Sequence, residues 1–205
     1  MEHNENEMNT EEFSEQIPNK KSNNILPYLK DVVFLISAVL LVFSLLFRLV
    51  IVSGPSMNDT LVDGDWLLLL SNVFYNDPKR GDIIVASKDS FKNGTPIIKR
   101  VIATEGQTVD IDFQLGVVYV DGEALDEPYT LTPTNMFEGV SFPLTVSNGC
   151  IFVMGDNRNE SKDSRSTEIG LIDDREIIGK AVFIMIPGDD GGELDRDFTR
   201  IGVLK

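Results

Sequence analysis

The chain has 205 residues and a formal net charge of −15. That fits one domain plus a short extra segment, and a surface this acidic repels phosphate backbones, so nucleic acid is excluded as a partner. The only histidine is His3 and the only cysteine is Cys150, which removes a Ser-His-Asp triad, an intramolecular disulfide, a CxxC redox pair and a zinc cluster.

Residues 1–31 are polar and rich in Asn and Glu. They read as a disordered tail with little to bury. Residues 32–52 are 21 mostly apolar residues with a single charge, Arg48. A bilayer core of ~30 Å needs about 20 helical residues, so this run is expected to be a transmembrane helix, with Arg48 reaching to the interface. A cleaved signal peptide would have a shorter apolar core and a short basic leader, and a soluble helix is rarely apolar on every face. Lys20, Lys21 and Lys30 precede the run, and no Lys or Arg occurs in the 20 residues after it. The positive-inside rule places the N-terminus in the cytoplasm and residues 53–205 outside, at the plasma membrane.

Residues 53–205 carry short β-branched runs punctuated by Gly, Asp and Pro. The runs are 65–70, 81–86, 95–103, 108–113, 116–120, 150–154 and 177–186. This spacing predicts an all-β domain. Asp121-Gly122 between apolar flanks signals a tight hairpin. Residues 125–148 read as a loop-rich insertion, and the acidic, Gly-rich stretch from Gly188 to Asp197 as solvated. Cys150 opens an apolar strand and reads as a small hydrophobe.

Three stretches carry candidate chemistry. Ser53-Gly54-Pro55-Ser56-Met57-Asn58-Asp59-Thr60-Leu61 directly follows the apolar run. It is either a linker turn or the seat of a nucleophile, Ser56. Without histidine, Ser56 needs a lysine or a carboxylate as its base. Lys99 lies inside an apolar strand, where burial disfavours the ammonium and frees an amine to take a proton; lysine is also a common gatekeeper of edge strands. Period-two alternation puts Lys99 with Ile97 and Val101, and Arg100 on the opposite face. The third stretch, Gly155 to Arg165, is a polar run after an apolar strand. It is either a solvated loop or a frame holding an amine and a serine in place.

Together these stretches resemble the bacterial type I signal (leader) peptidases, membrane-anchored Ser-Lys proteases, in their Gram-positive, single-anchor form. The nucleophile motif Ser-Met-x-Pro-Thr-Leu reads Ser56-Met57-Asn58-Asp59-Thr60-Leu61. Gly-Asp-[IV]-[IV] reads Gly81-Asp82-Ile83-Ile84. Lys-Arg-Val-Ile-Gly-x-Pro-Gly-Asp reads Lys99-Arg100-Val101-Ile102-Ala103-Thr104-Glu105-Gly106-Gln107. Gly-Asp-Asn-Arg-x-x-Ser-x-Asp-Ser-Arg is complete from Gly155 to Arg165. Asp59, Ala103, Glu105 and Gln107 depart from the pattern and mark a divergent member.

The resemblance implies a signal-peptidase-like antiparallel β catalytic domain resting on a lipid bilayer. It implies an endopeptidase that removes signal peptides from exported preproteins and prefers small residues at the first and third positions before the cut. Ser56 is then the nucleophile and Lys99 the general base. Ser161 is expected to hydrogen-bond the lysine amine, Asp163 and Arg165 to form a supporting ion pair, and Asp156 to pair with Arg100. The Ser56 backbone N–H is expected in the oxyanion hole. Gly54 stands where some members carry a serine hydroxyl as second donor. No metal or cofactor is implied. The alternative from another class is a membrane-anchored relative, catalytically weak or inactive, that binds or assembles exported proteins. A self-cleaving Ser-Lys regulator of the repressor type is disfavoured by the apolar span and the lack of a DNA-binding segment.

Overall fold

The computed structural model describes residues 25–189 and 196–204. The tail through residue 24 and most of the acidic stretch before Asp197 lie outside the described residues. The chain divides into two units, residues 1–39 and residues 40–205.

One long helix, α1 (Ile25–Leu46), has no buried residue and is long and apolar enough to cross a membrane. Its 22 residues span roughly 33 Å at 1.5 Å per residue. The bounds differ from the expected 32–52 at both ends. Ile25 to Asp31 are already helical, and Phe47 to Ile51 form a strand instead of a last helical turn. Arg48 therefore sits in a strand, with Leu69 opposite.

Among the described residues, the second unit contains twelve strands: β1 (Phe47–Ile51), β2 (Trp66–Ser71), β3 (Ile83–Ala86), β4 (Ile97–Ala103), β5 (Thr108–Asp112), β6 (Val117–Val120), β7 (Glu123–Ala124), β8 (Leu144–Thr145), β9 (Cys150–Met154), β10 (Ile172–Asp173), β11 (Ile177–Ile186) and β12 (Gly202–Val203). The larger sheet runs β1-β2-β11-β3-β4-β9-β10, with β12 added to β11. The smaller sheet runs β7-β6-β5-β8. Every strand pairing is antiparallel.

Position in the sheet explains strand composition. β3 is buried at every residue because β11 and β4 flank it and both its faces are covered, so it reads as an unbroken apolar run. In β5, Val109 and Ile111 point into the core while Asp110 faces solvent, the alternation of a strand with one wet face. The β6–β7 hairpin turns through Asp121 and Gly122, both in the left-handed region at φ 54° and 82°. Two such residues make the turn whose twist matches the flanking strands.

The core forms three clusters. One packs Val52, Met57 and Leu61 against Leu67, Leu69 and Ile83. A second gathers Ile84, Phe91, Val101 and Val153. The third joins the two sheets through Ile102, Val109, Val118 and Phe152. Phe142 stands edge-on to Phe152 at 5.9 Å, an attractive ring geometry. Residues 125–148 contribute only β8 to the sheets, yet they carry side chains that reach the site described next.

Candidate active site

The stretch from Ser53 to Leu61 is not a slack linker. Val52, Met57 and Leu61 are buried in the first cluster and anchor it. The Val52 N–H donates to the Asp65 carbonyl at 2.9 Å, and the Leu61 N–H donates to the Met57 carbonyl at 2.9 Å. Gly54, at φ 89°, donates its N–H to Asp63 Oδ1 at 2.7 Å. Ser56 thus rides on a turn pinned on both sides by apolar burial. Asn157 holds that turn from across the site: its N–H donates to the Ser56 carbonyl at 3.1 Å and its amide to the Pro55 carbonyl at 3.2 Å. Gly155 permits this approach. A Cβ there would lie 2.4 Å from the Ser56 carbonyl oxygen and 2.2 Å from Ser161 Oγ, inside any real contact distance.

Lys99 comes from β4, opposite Ile84 of β3. Its Nζ lies 2.7 Å from Ser56 Oγ and 2.9 Å from the Ile98 carbonyl, which it also meets as donor. Only 4% of the residue is exposed. Burial pulls the amine down from 10.5 to about 8, although the carboxylates of Asp163 and Asp156 work in the opposite direction. Roughly a tenth of the amine is then neutral at pH 7, against far less for a free lysine. The gatekeeper reading fails because β4 is an interior strand between β3 and β9.

Arg100, on the other face of β4, is equally buried. Its Nε and Nη2 meet Asp156 Oδ1 and Oδ2 at 2.8 and 2.7 Å, a bidentate pair. Nη1 donates to the Gly81 carbonyl at 2.9 Å, and the guanidinium lies 4.0 Å from the Tyr129 ring centroid. Thr60, from the Ser56 turn, donates its hydroxyl to Asp156 Oδ2 at 2.5 Å. The serine turn, the lysine strand and the polar loop are therefore tied at one carboxylate.

Most of the Gly155–Arg165 loop is buried; Glu160 and Lys162 are exposed. Asp156, Arg158, Asp163, Ser164 and Arg165 have essentially no exposure. Each charge has a partner, as burial requires. Arg165 Nε and Nη2 donate to Asp163 Oδ1 and Oδ2, each at 2.8 Å. Arg158 donates to both oxygens of Glu127, at 2.7 and 2.6 Å, and to Thr134 at 2.8 Å.

One expected bond is absent. Ser161 donates its hydroxyl to Asp163 Oδ2 at 2.8 Å, not to the Lys99 amine. The Asp163 carboxylate, two residues away, is the stronger acceptor, and the Lys99 amine is occupied by Ser56 and Ile98. Ser161 thus stands behind the dyad through Asp163, which also accepts the Gly155 N–H at 2.9 Å.

Sequence reasoning missed Thr60 and Asn157, though both lay inside quoted motifs, and Glu127, Tyr129, Thr134 and Glu138, which come from a stretch without periodicity. Glu138 lies 3.5 Å from Arg165 Nη2 with only 10% of its side chain exposed. Burial and the neighbouring Asp163 push its carboxyl up to about 7, against the pull of Arg165. Glu105, one of the departures from the motif, accepts the Gly149 N–H at 2.8 Å and so has a local structural use.

A cleft of about 240 Å³ opens over Ser56 and Lys99, walled by Val52, Met57, Phe91 and Ile97, with Glu160 and Lys162 also lining it. Among the described residues, the Ser56 N–H meets no acceptor. A buried amine on a serine hydroxyl, beside a free backbone donor and a cleft with both apolar and polar walls, is equipped for attack on a carbonyl carbon.

The sequence matches the family described as signal peptidase, peptidase S26, over residues 25–186. It is 33% identical to a signal peptidase I of Bacillus licheniformis over 183 residues, covering 85% of this chain and 96% of that one. It is 35% identical to signal peptidase I T of Bacillus subtilis (strain 168) over 182 residues, covering 85% and 92%. A crystal structure of a signal peptidase I from Enterococcus faecalis V583 aligns at 30% identity over 51% of this chain and 96% of that chain, with a TM-score of 0.43.

Proposed function

The chain belongs to the signal peptidase family, peptidase S26, and on that premise we propose that it removes signal peptides from exported preproteins with Ser56 as nucleophile and Lys99 as general base. The observation that carries this reading is the 2.7 Å approach of the Lys99 amine to Ser56 Oγ within a buried frame.

The neutral fraction of Lys99 accepts the Ser56 hydroxyl proton as Oγ attacks the scissile carbonyl. The tetrahedral oxyanion faces the free Ser56 N–H. Collapse breaks the peptide bond, and the Lys99 ammonium returns the proton to the departing amine. Water, deprotonated by the same amine, then hydrolyses the acyl-serine and regenerates Ser56. Holding both groups in contact range converts an encounter into a positioned step, worth several kcal/mol of barrier. Asp156 and Arg100 support this by fixing the serine turn against β4, and Asp163, Arg165 and Ser161 by filling the space behind the dyad.

Lys20 and Lys21 ahead of α1 and Lys30 in its N-terminal turns, against Arg48 alone in the 20 residues after it, favour a cytoplasmic N-terminus and a catalytic domain on the outer face of the plasma membrane. The lipid bilayer is then a partner through α1. The tail, anchor and catalytic domain follow in that order, with the anchor taken as Ile25–Leu46.

The test is cleavage of a preprotein co-reconstituted in vesicles by wild type, Ser56→Ala and Lys99→Ala. The expected result is processing by wild type and a loss on the order of 10³-fold or more in each variant with folding retained. Processing that survives Ser56→Ala overturns the assignment. No processing by wild type across several preproteins favours the binding or assembly reading.

A further inference from the structure

Glu138 lies outside every motif that singles out the site, yet the fold brings it beside Arg165. Residues 136–140 cross over Arg165 like a strap. Arg165 Nη1 donates to the Met136 carbonyl at 3.4 Å, the Val140 N–H donates to the Arg165 carbonyl at 3.1 Å, and Gly139 bridges Ser166. The strap carries the Glu138 carboxyl to 3.5 Å from Arg165 Nη2, within ion-pair range. Its Oε1 is buried and, among the described residues, has no hydrogen-bond partner. Arg165 already spends Nε and Nη2 on Asp163. A carboxyl buried beside a fully engaged pair gains nothing for stability that a neutral side chain would not give, since burial of an unsatisfied polar oxygen is unfavourable.

We propose that Glu138, seated beside the Arg165–Asp163 pair, is a positioning residue whose charge biases the protonation of the Lys99 amine. This rests on the reading of Lys99 as general base. The charged groups facing Glu138 are Asp163, Arg165 and Lys162 from the loop after β9, and Lys99 from β4. As an ionised carboxylate, Glu138 adds negative potential that favours the Lys99 ammonium; as a neutral acid, it withdraws that support. The two groups titrate as a coupled pair. With Glu138 ionising near 7 and Lys99 near 8, the charge on Glu138 rises as the base is needed and holds the amine back toward higher pH.

The experiment is the pH profile of kcat/KM for the full-length protein in detergent, acting on a preprotein, for wild type, Glu138→Gln and Glu138→Asp. Wild type is expected to reach half its plateau near pH 8. Glu138→Gln should move that point down by roughly half a unit, raising the rate at pH 7 about threefold with the plateau unchanged. Glu138→Asp, which keeps the charge, should stay with wild type. A merely structural role would lower thermal stability without moving the profile. An unmoved profile in Glu138→Gln overturns the proposal, and so does an Asp variant that shifts as Gln does. An arm independent of variant folding and of activity is NMR titration of labelled lysine in wild type. The Lys99 signal should show a minor inflection near pH 7 beside the main one near 8; a single inflection overturns the coupling. If wild type cleaves nothing, the role of Lys99 as base falls, while the titration still decides whether Glu138 acts on it.

Discussion

Two Asp-x-Arg pairs lie ten residues apart in this chain and have nearly the same shape. Asp163 and Arg165 meet through Nε and Nη2 at 2.8 Å each, and Asp173 and Arg175 through the same atoms at 2.8 and 2.6 Å. The first pair has no exposure on either side chain; in the second, Arg175 is 89% exposed. Asp173 is held well below the usual carboxylate range by Arg175, but in contact with water. It also caps the short 3-10 turn over Asp174–Glu176, so its value is local. The geometry of an ion pair therefore says little about its weight. What surrounds it decides whether removing one partner leaves a hydrated charge or a stranded one.

The largest effect expected from this contrast is at the buried pair. Asp163→Ala should destabilise the protein by about 3–5 kcal/mol in a denaturant titration, because buried Arg165 loses its bidentate partner and keeps only the longer approach of Glu138 at 3.5 Å. Asp163→Leu combined with Arg165→Met should recover much of that loss. If the double variant is no more stable than the single one, the stranded-charge account is wrong.

Lys99 comes next, as a buried cation without a direct carboxylate partner. Its amine is pulled from 10.5 to about 8, so between those values the unfolded chain holds a proton that the folded one has lost. Stability should therefore rise with pH across that window, by about 3 kcal/mol in total. Lys99→Met should remove the rise and be more stable than wild type at pH 7, while abolishing cleavage. Denaturation midpoints measured from pH 7 to 10.5 check the sign. Glu138 acts oppositely: its raised carboxyl makes stability fall as pH climbs from 4.5 to about 7, and Glu138→Gln should flatten that interval.

A smaller change is expected at the tie between the serine turn and the polar loop. Thr60→Val removes the hydroxyl donor to Asp156 but leaves Arg100 in place, at a cost of about 1–2 kcal/mol. Cleavage should fall further than stability alone explains, because the turn carrying Ser56 loses a restraint. The smallest effect is at the exposed pair, where Arg175→Ala should move Tm by no more than about a degree.

Much of this was legible in the sequence. Strand-sized apolar runs located the central strands, and Cys150–Met154 and Ile177–Ile186 coincide with β9 and β11. Ser56 and Lys99 stood out because chemistry without histidine leaves few bases. The pairing of Asp156 with Arg100 and the Asp163–Arg165 ion pair are what the family resemblance implies; the bidentate geometry of the first is not legible in the sequence. The burial of the polar loop was not legible. A run of Asp, Asn, Arg and Ser goes inside only when outside partners satisfy it, and those partners, Glu127, Thr134 and Tyr129, lie in a stretch with no period to read. The Ser161 bond went elsewhere because two acceptors competed at distances no sequence encodes. The end of α1 was misplaced for a related reason. Phe47 to Ile51 is apolar enough to prolong a helix, and only its partner β2 makes it a strand.

That strand has a mechanical consequence. All five residues of β1 are in register with β2, and the next apolar residue, Val52, is locked to Asp65. The interval between the end of α1 and Ser56 is thus a ruler rather than a leash. Its length is quantised: two added residues would keep the inward and outward faces of β1, whereas one would turn every side chain to the wrong face. The spacing along the chain from β1 to Ser56 is written into the pairing of an edge strand.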